Sequence, residues 1–347
     1  MVAVARDRAA SDHLSRTEGL DSAAECRIRG EERSLYVYLI RRLFATLPVM
    51  AVVGLVVFSL LYLTPGDPAA LIAGDLATAA DIAKIRQKLG LDEPFLLRFG
   101  KWSWGLMHGD LGVSIFSNLP VSRLIGQRLE PTLALATTTI LFAVTIAVPM
   151  GIIAAWKAGT WIDRAVMAFA VFGFSFPVFV LAYVLISAFS IQLEWLPVEG
   201  YTRLRDGFGP FLANLALPSV TLGSVYMALM ARITRTSMLE VLSDDYIRTA
   251  YAKGLTPDRV LIGHALKNAG VPIITVIGVG LALLIGGVVI TESVFGIPGI
   301  GRLTVDAILS RDYPVIQGVF LVFSGVYVFV NLLVDLSYAF IDPRIRY

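Results

Sequence analysis

Charge is scarce in this sequence. Asp, Glu, Lys and Arg together supply 16% of its 347 residues, against 56% hydrophobic ones, where a water-soluble domain of this length carries about a quarter charged residues. A mean hydropathy of +0.73 agrees, so an ordinary soluble class is excluded. The single cysteine, Cys26, excludes an intrachain disulfide framework, and no CxxC pair or Cys/His cluster stands ready for a metal. His13, His108 and His264 are scattered without ligand spacing. No GxxxxGKS/T phosphate loop occurs, so ATP is not bound by that route, and G-x-S-x-G and H-E-x-x-H are absent too. The absence of any catalytic constellation makes enzyme the weakest class. The net charge of +2 gives no nucleic-acid signature.

What is present is long apolar runs. A hydrocarbon core about 30 Å thick needs about 20 apolar residues in a helix, and six segments qualify: Leu39–Leu63, Leu129–Trp156, Ala165–Ile191, Phe211–Ala231, Val271–Ser293 and Val315–Phe340. The fold class expected is therefore an all-α integral membrane protein with six transmembrane helices. Arg41 and Arg42 lie at the N-terminal edge of the first span. If that side is cytoplasmic, so are the loops at 157–164, 232–270 and 341–347, which carry Lys157, Arg164, Arg232, Arg235, Arg248, Lys253, Arg259, Lys267, Arg344 and Arg346. The opposite short loops, 194–210 and 294–314, carry only Arg203, Arg205, Arg302 and Arg311. The 64–128 segment on that side is basic as well, but long translocated loops obey the rule weakly, and the bias of the short loops predicts both termini inside.

These spans divide the chain. Residues 1–34 are polar and mixed in sign and read as a disordered cytoplasmic extension, either a regulatory tail or the product of a start codon placed too far upstream; no signal-peptide pattern is present. The first span follows at 35–63. An external helical cap is expected over 64–128, with helical periodicity at Ala79–Leu89, Gly90 at a C-terminal cap position, and Phe95, Phe99, Trp102, Trp104 and Leu106 as anchors. Such a cap lies on the outer membrane surface or also docks a soluble partner. The core of five spans covers 129–341, and 342–347 form a cytoplasmic end.

Few residues inside the spans suggest chemistry. The second to fourth spans have no acidic residue in their middles, which disfavours an ion-gradient carrier. Glu292 lies at the outer end of the fifth span, and Asn331 and Asp335 share a face of the sixth near its cytoplasmic end. Pro177, in SFPVF, kinks the third span for packing or as a flexing gate. Gly278, Gly280, Gly286 and Gly287 permit close approach of a partner helix or line a pathway. Pro177, Gly286, Gly287 and Glu292 are the gating or pathway candidates. Gly296, Gly299 and Gly301 form a cluster that follows no strand and reads as a turn with a short re-entrant segment.

One polar stretch stands apart: DDYIRTAYAKGLTPDRVLIGHALKN, Asp244 to Asn268, between two apolar spans. It reads as two short helices joined at Gly254–Leu255, with Thr256 as cap, Pro257 at the first helical position and Asp258 in the first turn. Tyr246, Ala250 and Gly254 fall at i, i+4, i+8, giving a tapered face suited to close approach by another protein. Six spans with no energy source and one elaborate cytoplasmic loop imply that work is delivered from elsewhere. A six-span scaffold that recruits a cytoplasmic protein without transport is the alternative.

The same stretch resembles the coupling loop, here 243–269, of permease subunits of binding-protein-dependent ABC importers. The family pattern Glu-Ala-Ala, three residues, Gly is matched at Arg248, Thr249, Ala250 and Gly254. The Glu is replaced by Arg, and the Leu-Pro ending by the residues around Leu266 and Lys267, as in the dipeptide/oligopeptide/nickel branch. RRL at Arg41–Leu43, LTPGDPA at Leu63–Ala69, GDLGVS at Gly109–Ser114, ESVFGIPGIGRL at Glu292–Leu303 and DPRIRY at the C-terminus resemble the first, B-type permease of that branch. The resemblance runs from about Leu35 to Tyr347 and implies a type I importer permease of the bacterial inner membrane. It further implies a heterodimer with a second homologous permease, two cytoplasmic ATPases that bind ATP-Mg, an extracytoplasmic substrate-binding protein, and no cofactor on this chain. Asp245, Tyr246, Arg248, Thr249, Ala250, Lys253, Gly254 and Leu255 would be the ATPase-coupling residues. Cargo would be dipeptides or oligopeptides, with nickel chelates or glutathione as alternatives.

Overall fold

In a computed structural model of the chain, the structure describes residues 41–42, 44–60, 68–74, 77–88 and 90–341. The N-terminal extension, most of the LTPGDPA stretch, both ends of the expected first span and the DPRIRY end lie outside them. Among the described residues there are helices and turns and no strand, only a lone antiparallel bridge between Val113 and Pro120. The described residues up to Ala51 belong to one unit and are helical; those from Val52 to Ile341 belong to a second, and every contact below lies within that second unit.

The helices are α1 (Phe44–Leu60), α2 (Pro68–Ala73), α3 (Ala79–Lys88), α4 (Phe95–Met107), α5 (Val121–Trp156), α6 (Trp161–Phe174), α7 (Val178–Leu185), α8 (Phe208–Leu242), α9 (Asp245–Ala252), α10 (Leu266–Asn268), α11 (Gly270–Val294), α12 (Ile300–Ser310) and α13 (Tyr313–Ile341). Wide π turns at Ile186–Gln192 and Arg259–Ala265 extend α7 and precede α10. Helices α5, α8 and α13 are each long and apolar enough to cross a membrane, and two bent pairs raise the number to as many as five. Helix α1 is apolar but shorter over its described residues. The third segment is the main departure from a simple span: α6 and α7 meet at 98° across Ser175–Pro177. Pro177 has no N–H to continue the ladder and pushes Phe176 out of the helical region, which is why the break falls there. Helix α8 runs eleven residues beyond the expected end at Ala231, so its last three turns project past the apolar stretch.

Helices α5 and α8 form the spine, and they run parallel. Ser219 donates to the Thr138 hydroxyl at 2.7 Å. A Cβ on Gly223 would meet the Phe142 ring, and one on Gly151 would meet Thr234 and the Ala231 carbonyl. Small residues at these crossings let two backbones come close enough for dispersion to hold them where water is excluded and the hydrophobic effect is weak. Helix α11 runs antiparallel to both. Leu135, Ala143 and Ala147 of α5, Leu215, Leu222 and Met230 of α8, and Val276, Leu284 and Val288 of α11 share the central core. Two satellite clusters cap it at opposite ends of α5, one around Ala155 and one around Val121 and Ile125.

Outside the bundle, α3 opens with a reciprocal cap: the Thr78 hydroxyl donates to Asp81 at 2.6 Å and accepts from the Asp81 amide at 3.3 Å. The hydroxyl and amide of Thr78 hold the Asp81 carboxyl below the usual carboxylate range. Helix α4 packs Phe95, Phe99 and Trp102 around Phe58 with ring centroids 5.2–5.5 Å apart.

Candidate functional site

The connector between α8 and α11 is built as two short helices, and its packing assigns its faces. Ile247 and Ala250 of α9 are buried with Val260, Leu261 and Ala265 of the π turn, against Ala155 of α5, Met238 of α8 and Ile273 of α11. Of the face expected at Tyr246, Ala250 and Gly254, Ala250 alone is turned into the protein, where its small side chain lets α9 lie flat on the helix ends. Asp245, Arg248, Thr249 and Ala252 occupy the other side at i, i+3, i+4, i+7, and all are exposed. Arg248 faces solvent with only a loose 3.5 Å pair to Asp245, itself almost fully exposed, so its guanidinium is available to a partner. Gly254 closes α9 at φ +79, a conformation that side chains resist, with open space where its Cβ would be. Lys253 is exposed beside it and Leu255 half-buried behind it. Tyr246 is half-turned to solvent, and its hydroxyl accepts a 2.7 Å hydrogen bond from Asn268, tying α9 to α10.

Above this connector a bidentate ion pair joins two helices. Arg235, on the projecting part of α8, donates through Nε at 2.6 Å and Nη2 at 2.7 Å to the carboxylate of Asp163, in the first turn of α6. Asp163 also accepts the Gly159 amide at 3.0 Å. Fork-to-carboxylate geometry of this kind fixes orientation as well as distance.

At the opposite end of α5 the chain buries a second carboxylate completely. Glu292, on the last turn of α11, is 0% exposed. Its Oε1 accepts from the Thr132 hydroxyl of α5 at 2.6 Å, and its Oε2 from the Arg302 amide at 3.0 Å. Thr132 in turn accepts the Ile300 amide at 2.8 Å. The negative group thus sits on the N-terminus of α12, where unpaired N–H groups and the helix dipole favour an anion. Gly299 and Gly301 make the approach possible: a Cβ on Gly299 would overlap the carboxyl, and one on Gly301 would lie 2.9 Å from Oε2 and 2.6 Å from the Val289 Cα. The far end of α12 is clamped as well, since Asp312 accepts from the Ser114 hydroxyl and, at 3.2 Å, from the Ile115 amide. Nearby, Tyr201 donates to Glu130 at 3.3 Å, and burial followed by that carboxylate pushes its hydroxyl pKa up to about 12.

The four pathway candidates are scattered. Pro177 is exposed at the α6–α7 break. Gly286 is exposed, with nothing within 4 Å of its Cβ position, whereas Gly287 packs under Leu222 and Tyr226 of α8. Glu292 is walled in by the contacts just described. A cavity of about 730 Å³ opens between the 85–116 segment, α1 and the start of α13, lined by Phe58, Arg98, Trp102, Phe116, Tyr313 and Gln317 among others. No cluster of metal-ligating side chains occurs among the described residues. Thr132, Asp163, Arg235 and Asp312 were not legible as site residues, because each is defined by a partner 72 to 198 positions away. The one readable signal was Glu292 followed by glycines seven and nine residues on.

This arrangement has close relatives. The profile of a family described as binding-protein-dependent transport system inner membrane component matches residues 147–347, and that of its N-terminal companion matches residues 35–136. A probable peptide ABC transporter permease of Sinorhizobium fredii is 56% identical over 311 residues, covering 90% of this chain and 99% of that protein. A glutathione transport system permease protein of Escherichia coli is 44% identical over 310 residues, covering 89% and 99%. Inward-facing structures of the MetNI methionine ABC transporter share the fold, with a TM-score of 0.53 at 18% identity over 63% of this chain and 96% of that one. The chain therefore belongs to the inner membrane component family of binding-protein-dependent transport systems: it is a non-catalytic permease subunit of a bacterial ABC importer, set in the inner membrane and working with an ATPase and a binding protein.

Proposed function

We propose that the chain forms half of the translocation pathway of a short-peptide importer, paired with a second homologous permease, with both termini in the cytoplasm. The exposed Asp245–Arg248–Thr249–Ala252 stripe of α9 carries this reading. It belongs to a connector braced by the ends of three long helices, so a push on α9 reaches α5, α8 and α11 together. Two ATPase subunits bind ATP and magnesium on the cytoplasmic side, and this chain binds neither. Arg248 stands where the general family pattern has Glu, so the groove that receives α9 offers an acidic residue. Lys253, Gly254 and Leu255 complete the docking edge. Movement between inward-open and outward-open states follows only because nucleotide and cargo bind one state better than the other.

Peptide cargo is supported by the 56% identity to a permease named for peptides, and the 44% identity to a glutathione permease keeps that tripeptide as a second reading. The test is uptake into vesicles holding the whole complex. Labelled dipeptide should accumulate only with ATP and the cognate binding protein, and Gly254→Leu should abolish the binding protein's stimulation of ATPase activity. Accumulation driven by an ion gradient without ATP would overturn the reading, and glutathione taken up in preference to dipeptides would move it to the second cargo.

A further inference from the structure

Glu292 is the fully buried carboxylate on the last turn of α11, and it contacts three elements at once: its own helix α11, Thr132 on α5, and the amino end of α12. Its contact partners are hydrogen-bond donors: among the described residues no cation lies within ion-pair distance, and Arg128 acts on it only from farther off. The donors come in sequence. The Ile300 amide donates to Thr132, whose proton is thereby directed to Glu292 Oε1, while the Arg302 amide takes Oε2. Two glycines with no room for a side chain admit the carboxylate.

Helix α12 itself packs Ile300, Leu303 and Ala307 against Val121 and Ile125 of α5 and Val315, Ile316 and Val319 of α13. Its carboxyl end is tied by Asp312 to Ser114 in the external segment. A short helix pinned at both ends in this way has little freedom to move against α5. Thr132 also lies twenty-three residues from Ala155, where the ATPase-facing connector is packed, so about 35 Å of continuous helix joins the two ends.

We propose that Glu292 is a positioning residue of the transport cycle. Its carboxylate locks α12 to the outer ends of α5 and α11, so that these three elements travel as one body when the coupling connector is pushed from below. Without the lock, α5 still moves but α12 does not follow, and ATP is hydrolysed without movement of cargo. The inference rests on the chain being driven by a separate ATPase, and not on which cargo is carried.

Glu292→Gln keeps the volume but removes the charge, and an amide NH2 turned to Thr132 makes that hydroxyl an acceptor with its proton passed to the Arg128 carbonyl 3.3 Å away, so the charge-assisted bond is lost. Spin labels at Leu141 of α5 and Leu309 of α12, both exposed, with Cys26 replaced by Ser in the assembled complex, report the distance between the two helices. The native complex should give one narrow distance, unchanged between nucleotide-free and ATP-trapped states. In Glu292→Gln the distribution should broaden, and transport per ATP hydrolysed should fall about tenfold, the size of one lost charge-assisted hydrogen bond, with stimulated ATPase activity kept within about twofold. Thr132→Val should behave alike and Thr132→Ser should restore the native behaviour, which carries the test if Glu292→Gln fails to assemble. A narrow native distance in Glu292→Gln and Thr132→Val, or a proportional fall of ATPase and transport together, would overturn the lock. Absence of ATP-driven movement in the native complex would instead overturn the transporter reading on which it depends.

Discussion

The regions around the two ends of α5 are held together by opposite means. Around Thr132, a buried carboxylate takes hydrogen bonds from a hydroxyl and a helix N-terminus, with glycines pressed on it. Towards Ala155, Asp163 of α6 is met by a full countercharge from Arg235 of α8, which is itself partly open to solvent, and the connector beyond carries exposed charges on α9. The difference teaches where each end is free to change. Hydrogen bonds inside a close-packed site tolerate no slack, because each lost partner leaves a desolvated polar atom. Exposed charges on α9 cost almost nothing alone and become useful only when another surface brings the opposite charge.

The contrast is sharpest at Gly301. Gly301→Val would drive a side chain into Glu292 and the Val289 backbone, and should cost about 3 kcal/mol or more by overpacking and by stranding the carboxylate. Thermal unfolding of the complex in detergent, with the amount reaching the membrane, measures it. Native stability would mean that the packing around Glu292 has slack.

Breaking the Asp163–Arg235 pair comes second. Asp163→Ala should destabilise by about 2 kcal/mol, less than a fully buried pair would because Arg235 remains partly hydrated. A double-mutant cycle with Arg235→Ala should recover most of that loss, and additive effects would show that the two groups do not interact. Arg248→Glu should leave stability within about 0.5 kcal/mol yet lower binding-protein-stimulated ATPase activity about tenfold, with the deficit shrinking as salt rises. An acidic-to-basic change in the receiving ATPase groove should rescue it, and an unaffected ATPase rate would remove Arg248 from the docking face. Smallest of all, Tyr246→Phe removes the bond from Asn268 and should cost about 1 kcal/mol or less, read as faster hydrogen exchange confined to residues 257–268.

Much of the architecture was legible one segment at a time. The apolar runs behind α5, α8, α11 and α13 announce themselves by length, and the Gly254–Leu255 junction with Thr256 and Pro257 marks the two-helix connector. Helical spacing places Tyr246, Ala250 and Gly254 on one face but does not say which of them a partner could reach: Ala250 is buried against the chain's own helices, while Tyr246 and Gly254 stay exposed. The break at Pro177 was readable as a kink, whereas a 98° turn depends on what α6 and α7 pack against.

By itself the sequence determined the membrane class, the connector's position and the family, because apolar length, charge placement and local turn chemistry act over a few residues and survive without any fold. Only the tertiary structure decided that α5 and α8 run side by side in parallel, that Asp163 belongs to Arg235, and that Glu292 closes on Thr132 and α12. A hydrogen bond between residues 160 apart in the chain exists only once the backbones between them are packed, and no local pattern encodes which distant donor will be there to receive a buried charge.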